Sequence, residues 1–274
     1  MQFACQDQET TATMQNMSRH LGTISRLTVL EARRNRLAWI ALLVVLAGFM
    51  IAQFLAQVAI TETALIRVTV LAAVYRLAAV FILASFVVSS VQREFADQGV
   101  ALTLAHPVAR SSFCLGKLAG FAVCAVLLAF LFAFALVAGP AADISRAALW
   151  GASLAAELAI VAAMALFCAL TLASSTGAFA AVLGFYLLSR SVGALQLIAA
   201  SPLAEEDSVL QVLLNHSLDI LSLLLPRLDL FTSSEWLQGS APSNGVLAIV
   251  FGQAALYVAL LALAALFDFY RREL

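Results

Sequence analysis

The residues of this chain best placed to do chemistry or pass on force are its few charges. Of 274 residues, 63% are hydrophobic and only 11% are Asp, Glu, Lys or Arg. Glu157, Arg190 and Arg76 stand inside long apolar stretches, where a charge costs several kcal/mol unless it is paired or hydrated. Glu157 and Arg190 each lie about eight or nine residues, on the order of 13 Å, from the same end of their stretches. They are candidates for an ion pair, and Arg76 could compete for the carboxylate or snorkel outward. Two readings stay open: charges lining a substrate path, or a bridge locking two helices.

A second set of charges falls in a polar island, Val91–Lys117, with the sequence VQREFADQGVALTLAHPVARSSFCLGK. It opens with Arg93-Glu94 and runs through the half-apolar Phe95–Leu104, which includes Leu102. His106-Pro107 follows, then Arg110 and Lys117. Proline disfavours helix in the residue before it, so a short helix from about Arg93 is expected to stop near His106. Such an element is expected to lie across the ends of two apolar stretches, and in a transporter it would pass force between a soluble motor and the membrane.

Other chemistries find little support. His20, His106 and His216 are scattered along the chain. Cys5, Cys114, Cys124 and Cys168 show no CxxC spacing, which argues against a zinc site or a disulfide. No phosphate-binding loop occurs: Gly116-Lys117 is followed by Leu118 and lacks the earlier glycine. The net charge of −1 comes with no basic stripe interleaved with aromatics, so nucleic acid is not an expected partner. A membrane-embedded enzyme is one alternative, but no span holds two carboxylates or histidines at helical spacing. A secondary transporter is another, but no inverted repeat is visible.

The elements that position these residues are membrane spans. A crossing needs about 20 mostly apolar residues, and six stretches qualify, near 37–59, 68–91, 118–137, 149–173, 178–199 and 246–267. The expected fold is therefore all-α and polytopic. Small residues are dense in the fourth and fifth stretches, which are expected inside the bundle. Phe130, Phe134 and their aromatic neighbours read as lipid contact and packing. Trp39, Trp150 and Trp236 fall near expected interfaces. Residues 1–17 read as a disordered cytosolic tail and 18–36 as a basic amphipathic helix in the headgroup layer, continuing to Trp39 as one helix. Arg33, Arg34, Arg36, Arg93, Arg110, Lys117, Arg271 and Arg272 fall on one side, against Arg67, Arg146 and Arg227 on the other. Both termini are therefore expected in the cytosol, with 92–117 beside them and 200–245 external. Leu203–Leu225 carries Asn215, His216 and Asp219, and reads as interfacial or partly re-entrant.

In the order of these features the chain resembles the permease subunit of ABC exporters of the second type. The resemblance rests on Leu30–Trp39, Arg93-Glu94, Pro107-Val108-Ala109-Arg110 and Gly116-Lys117. The chain departs from it at Gly99-Val100-Ala101-Leu102, where many relatives carry an acidic residue. The resemblance implies that Arg93, Glu94, Phe95, Leu102, His106 and Arg110 belong to a coupling element docked on a separate nucleotide-binding ATPase subunit. That subunit would hold ATP and Mg, and this chain no cofactor. It also implies half a translocation path, completed by a second copy or a paralogous permease in a bacterial inner membrane. Within the family, the shape fits the small-permease branch linked to metalloenzyme maturation or efflux.

Overall fold

A computed structural model of the chain describes residues 22–58, 63–97, 110–138, 143–200, 225–237, 239 and 242–271. Regular structure among them is helical throughout. Residues 22–34 form α1. There follow α2 (Leu37–Val58), α3 (Thr63–Ala96), α4 (Arg110–Ala138), α5 (Ile144–Thr171), α6 (Ser175–Ala200) and α7 (Asn244–Arg271). Two single 3-10 turns, Leu228–Leu230 and Ser234–Leu237, lie between α6 and α7. Six helices, α2 to α7, are long and apolar enough to cross a membrane, so the chain is an all-α polytopic membrane protein. Several outrun the expected stretches. Hydropathy marks only the hydrocarbon core, whereas a helix continues through the headgroups until a breaker stops it.

The bundle is built around α5, which packs against α3, α4, α6 and α7. Its small residues make this possible, with Ala147, Gly151, Ala162, Ala163, Ala165 and Ala169 all buried. Close backbone approach is how helices associate where lipid removes the hydrophobic drive. The expectation for the fifth stretch needs correction. The helix α6 keeps an open face with Leu187 and Leu188 exposed, and α3 is the second most enclosed helix. Small residues permit a close neighbour but do not supply one, and among the described residues α6 is covered mainly where it meets α5, α3 and the first 3-10 turn. The outer helices α2 and α7 expose Leu43, Phe54, Leu263 and Phe267, as lipid-facing helices must. Tyr75 and Phe132 stack at 5.2 Å inside the bundle, while Phe130 and Phe134 face outward. Trp39 is exposed, but Trp150 is fully buried under α5's neighbours and belongs to the core.

At one end of the bundle α1 lies against α4. An added Cβ at Gly116 would meet Ile24 at 3.0 Å, and one at Gly120 would meet Thr28 at 2.6 Å. Gly116-x-x-x-Gly120 is thus a small-residue groove into which Ile24 and Thr28, one turn apart on α1, are seated. Thr28 is fully buried there, its hydroxyl satisfied by donating to the Ile24 carbonyl at 3.0 Å. Residues 18–39 do not make one helix. Arg36 takes φ 58°, a left-handed conformation that ends a helix, and α2 starts afresh at Leu37. The corner separates α1, seated along the start of α4, from α2.

Replacing Gly120 by Leu should therefore unseat α1 and leave α2–α7 assembled. Spin labels at Leu27→Cys and Ala119→Cys, both exposed positions, should give a short, narrow distance in the parent. In Gly120→Leu that distance should lengthen and broaden; an unchanged distribution would contradict the docking.

Candidate functional site

Glu157 lies in the middle of α5 and is completely buried, about 20 Å from Ile144 at the helical rise per residue. The helix starts before the apolar stretch, so Glu157 lies farther from the helix end than from the end of that stretch. Its Oε1 faces Arg190 Nη1 of α6 at 3.7 Å, so the expected charge pair forms, though beyond hydrogen-bond distance. The hydrogen bond to the carboxylate comes from elsewhere: Thr232 Oγ1 donates to Oε2 at 2.6 Å. The backbone N–H of Thr232 also donates to Ser153 Oγ, one turn before Glu157, at 3.1 Å.

Thr232 belongs to the stretch 225–237, which wedges between α3, α5 and α6. Leu228, Phe231 and Thr232 are fully buried, and Trp236 and Leu237 nearly so. Irregular backbone in a membrane bundle needs partners for its carbonyls, and the two arginines supply them. Arg190 Nη1 donates to the carbonyls of Leu228 and Phe231, the second at 2.9 Å. Arg76 Nη1 donates to the carbonyl of Thr232 at 3.3 Å. Arg76 therefore does not take Glu157 from Arg190; it ties α3 to the wedge. Gly193 leaves room on α6 for the Asp229 carboxylate, where any Cβ would clash with it, and Arg227 approaches Asp229 at 3.5 Å.

Thr232 holds φ 48°, a region that a β-branched residue enters at a cost of about 1–3 kcal/mol. Its N–H, hydroxyl and carbonyl are each engaged by a different partner, and those contacts fix the conformation. A groove of about 480 Å³ lies elsewhere, between α4 and α5, and its lining is apolar. Chemically, the Glu157 cluster is a polar latch across three helices.

The second set of charges gathers at the opposite end of α3 and α5. Lys117 of α4 is buried, with Nζ 2.9 Å from Glu94 Oε2 on α3 and 3.6 Å from Glu31 Oε2 on α1. Ser90 Oγ donates to the same Glu31 oxygen at 2.8 Å. One ammonium thus joins three helices, beside the glycine groove that seats α1. Gln92 Nε2 adds a tie to α5, donating to the carbonyls of Leu172 at 2.9 Å and Ala169 at 3.3 Å. These are among the carbonyls that the end of a helix leaves unpaired.

Arg93, Glu94 and Phe95 complete the last turn of α3, with Arg93 exposed, so a helix does not open afresh at Arg93. Phe95 is half-buried and packs against the core beside Phe113, Leu166, Leu170 and Phe269. Arg110 begins α4. Leu102 and His106 lie outside the described residues, as does all of Leu203–Leu225 except Leu225 itself. Thr232, Ser153, Glu31, Ser90 and Gln92 escape a reading of the sequence. The spacing Ser153-x-x-x-Glu157 puts two polar groups on one helix face, and Gly116-x-x-x-Gly120 marks a docking groove; both were available as signals. In comparisons with known proteins, no family model and no characterised relative matches the chain.

Removing one partner of a buried pair costs about 3–5 kcal/mol, so Arg190→Met should strongly lower thermal stability in detergent. Adding Glu157→Gln should recover part of the loss, not all, because two carbonyls of the wedge still lack their donor. A double variant no better than Arg190→Met would refute the pairing. Thr232→Ser keeps the hydroxyl and sheds the branched methyl, so its stability should match or exceed the parent's. Thr232→Val should lose about 1–3 kcal/mol, the penalty of an unsatisfied buried carboxylate oxygen. Equal stability of the Ser and Val variants would show that the hydroxyl contributes nothing.

Proposed function

We propose that this chain is the membrane-spanning permease subunit of an ATP-driven exporter of the second ABC type, in the small-permease branch. In this reading it sits in a bacterial inner membrane with both termini in the cytosol. It contributes half of a translocation path, completed by a second copy or a paralogue. It makes no ATP site of its own, and a separate nucleotide-binding subunit binds and hydrolyses ATP with Mg.

The observation that carries the reading is the junction of Glu31, Glu94 and Lys117. Each stretch behind the family resemblance is weak alone. Three of the four meet there: the basic helix through Glu31, the Arg-Glu pair through Glu94, and the Gly-Lys pair through both its residues. Gly116 admits α1, and Lys117 bonds it to α3 and α4. The connection 98–109 joins α3 to α4 at this junction, so a subunit pulling on it moves α1, α3 and α4 together. Gln92 carries the displacement on to α5, the helix at the centre of the bundle. A motor docked there has a continuous chain of contacts into the membrane.

Two outcomes follow. With Cys5→Ser as background, Ala173→Cys and Ser243→Cys place exposed thiols at opposite ends of the bundle. A membrane-impermeant maleimide added to intact cells should label position 243 and spare 173; labelling of 173 alone would reverse the orientation. The purified chain should hydrolyse no ATP, whereas the assembly isolated through a tag on it should. Leu102→Asp should abolish that co-isolated activity and leave insertion intact. Retained activity in Leu102→Asp would remove the connection as the coupling element. Phe95 is a poor probe, because a charge there would also break its packing on Phe113 and Phe269.

A further inference from the structure

Between α1, the start of α2 and α4 runs a groove of about 380 Å³, within the range of sites that hold small ligands. Its walls are apolar, with Ala38, Leu127 and Leu131 among them, and one charged side chain, Arg33, lines it. Along α4 the groove extends from Cys124 to Leu131, about 10 Å at the helical rise. Leu127 is 54% exposed, so the groove opens on the lipid-facing side of the bundle.

The charge around it is one-sided. Arg33, Arg34 and Arg36 are all exposed, and Arg33 has no ion pair among the described residues. The one acid on α1, Glu31, is already engaged by Lys117 and Ser90. Arg33 comes from α1 just before the corner at Arg36, so it stands at the α1 end of the groove, and the apolar walls lead away from it along α4 to Leu131. A cationic rim above a lipid-facing apolar channel matches one molecule of the bilayer, with its phosphate at the guanidinium and an acyl chain below.

We propose that this groove is a binding site for an anionic glycerophospholipid. Arg33 receives the phosphate, and one acyl chain lies along Cys124–Leu131. A zwitterionic lipid has the same phosphate and chain, but its ammonium group meets Arg34 and Arg36, so the site selects for net negative charge. The bound chain fills the space between α1 and α4 next to the glycine groove, and so steadies the docked position of α1. This inference stands apart from the transport reading, since it concerns lipid retention alone.

The test uses the full chain in nanodiscs of mixed phosphatidylcholine and phosphatidylglycerol, released into the gas phase for native mass spectrometry. Phosphatidylglycerol should stay bound in preference to phosphatidylcholine. Arg33→Gln should lower that retention about fivefold, the worth of one basic side chain near a membrane surface. Arg34→Gln, which removes an equal charge outside the groove, should lower it less. Ala38→Phe fills the channel from an exposed position and should reduce retention of both lipids, with circular dichroism confirming the fold. Equal retention of the two lipids, equal losses in Arg33→Gln and Arg34→Gln, or no loss in Ala38→Phe would each overturn the site.

Discussion

A carboxylate cannot remain buried among membrane helices without partners, and irregular backbone cannot enter them without donors. In this protein the two requirements are met by each other. Glu157, at the middle of the most enclosed helix, is reached by Arg190 and by the hydroxyl of Thr232. Thr232 can be there because Arg190 and Arg76 supply donors to the carbonyls of its segment. Removing any one member strands the others in a low-dielectric interior, where an unpaired group is most costly. The segment between α6 and α7 is thereby held against α3, α5 and α6, and the spacing of those helices follows from it.

The far end of α3 is organised by a different charge. Lys117 bonds two carboxylates from two other helices, and the small residues at 116 and 120 let α1 come near enough for one of them. These two clusters differ in kind. The carboxylate of the latch, Glu157, is fully buried, whereas the side chains of Glu31 and Glu94 are about a third exposed, at 31% and 29%. Exposed ion pairs contribute less and rearrange more readily. Helix α5 crosses both levels, tied to Glu157's partners along its length and to Gln92 at its end.

The spans were legible because lipid imposes a length and a composition that few other constraints imitate. Glu157 and Arg190 could be paired from sequence because an intramembrane charge demands a partner and both lie at similar depth. Thr232 could not be found that way. It sits in a short stretch with no periodicity, and its role depends on a tertiary fold-back that local pattern does not encode. Arg76 illustrates the same limit: its depth suggests competition for Glu157, but the wedge offers it a carbonyl instead. Trp150 misleads for a related reason, since position along a span gives depth without saying which face is covered. Gly116 was readable as part of a Gly-Lys pair, yet its physical use appears only when Ile24 is set against it.

The central claim is that a separate ATP-hydrolysing subunit acts on the membrane bundle at the end where α3 gives way to α4. Asp97, exposed in the turn after α3, is the last described residue before the connection 98–109. A photo-crosslinking amino acid at position 97, irradiated in intact membranes, reports directly what lies against it. The expected adduct contains this chain joined to an ATPase subunit, and the same probe at Ser243, at the other end of the bundle, gives none. An ATPase adduct from position 243, or adducts from position 97 that contain no ATPase, would contradict the claim.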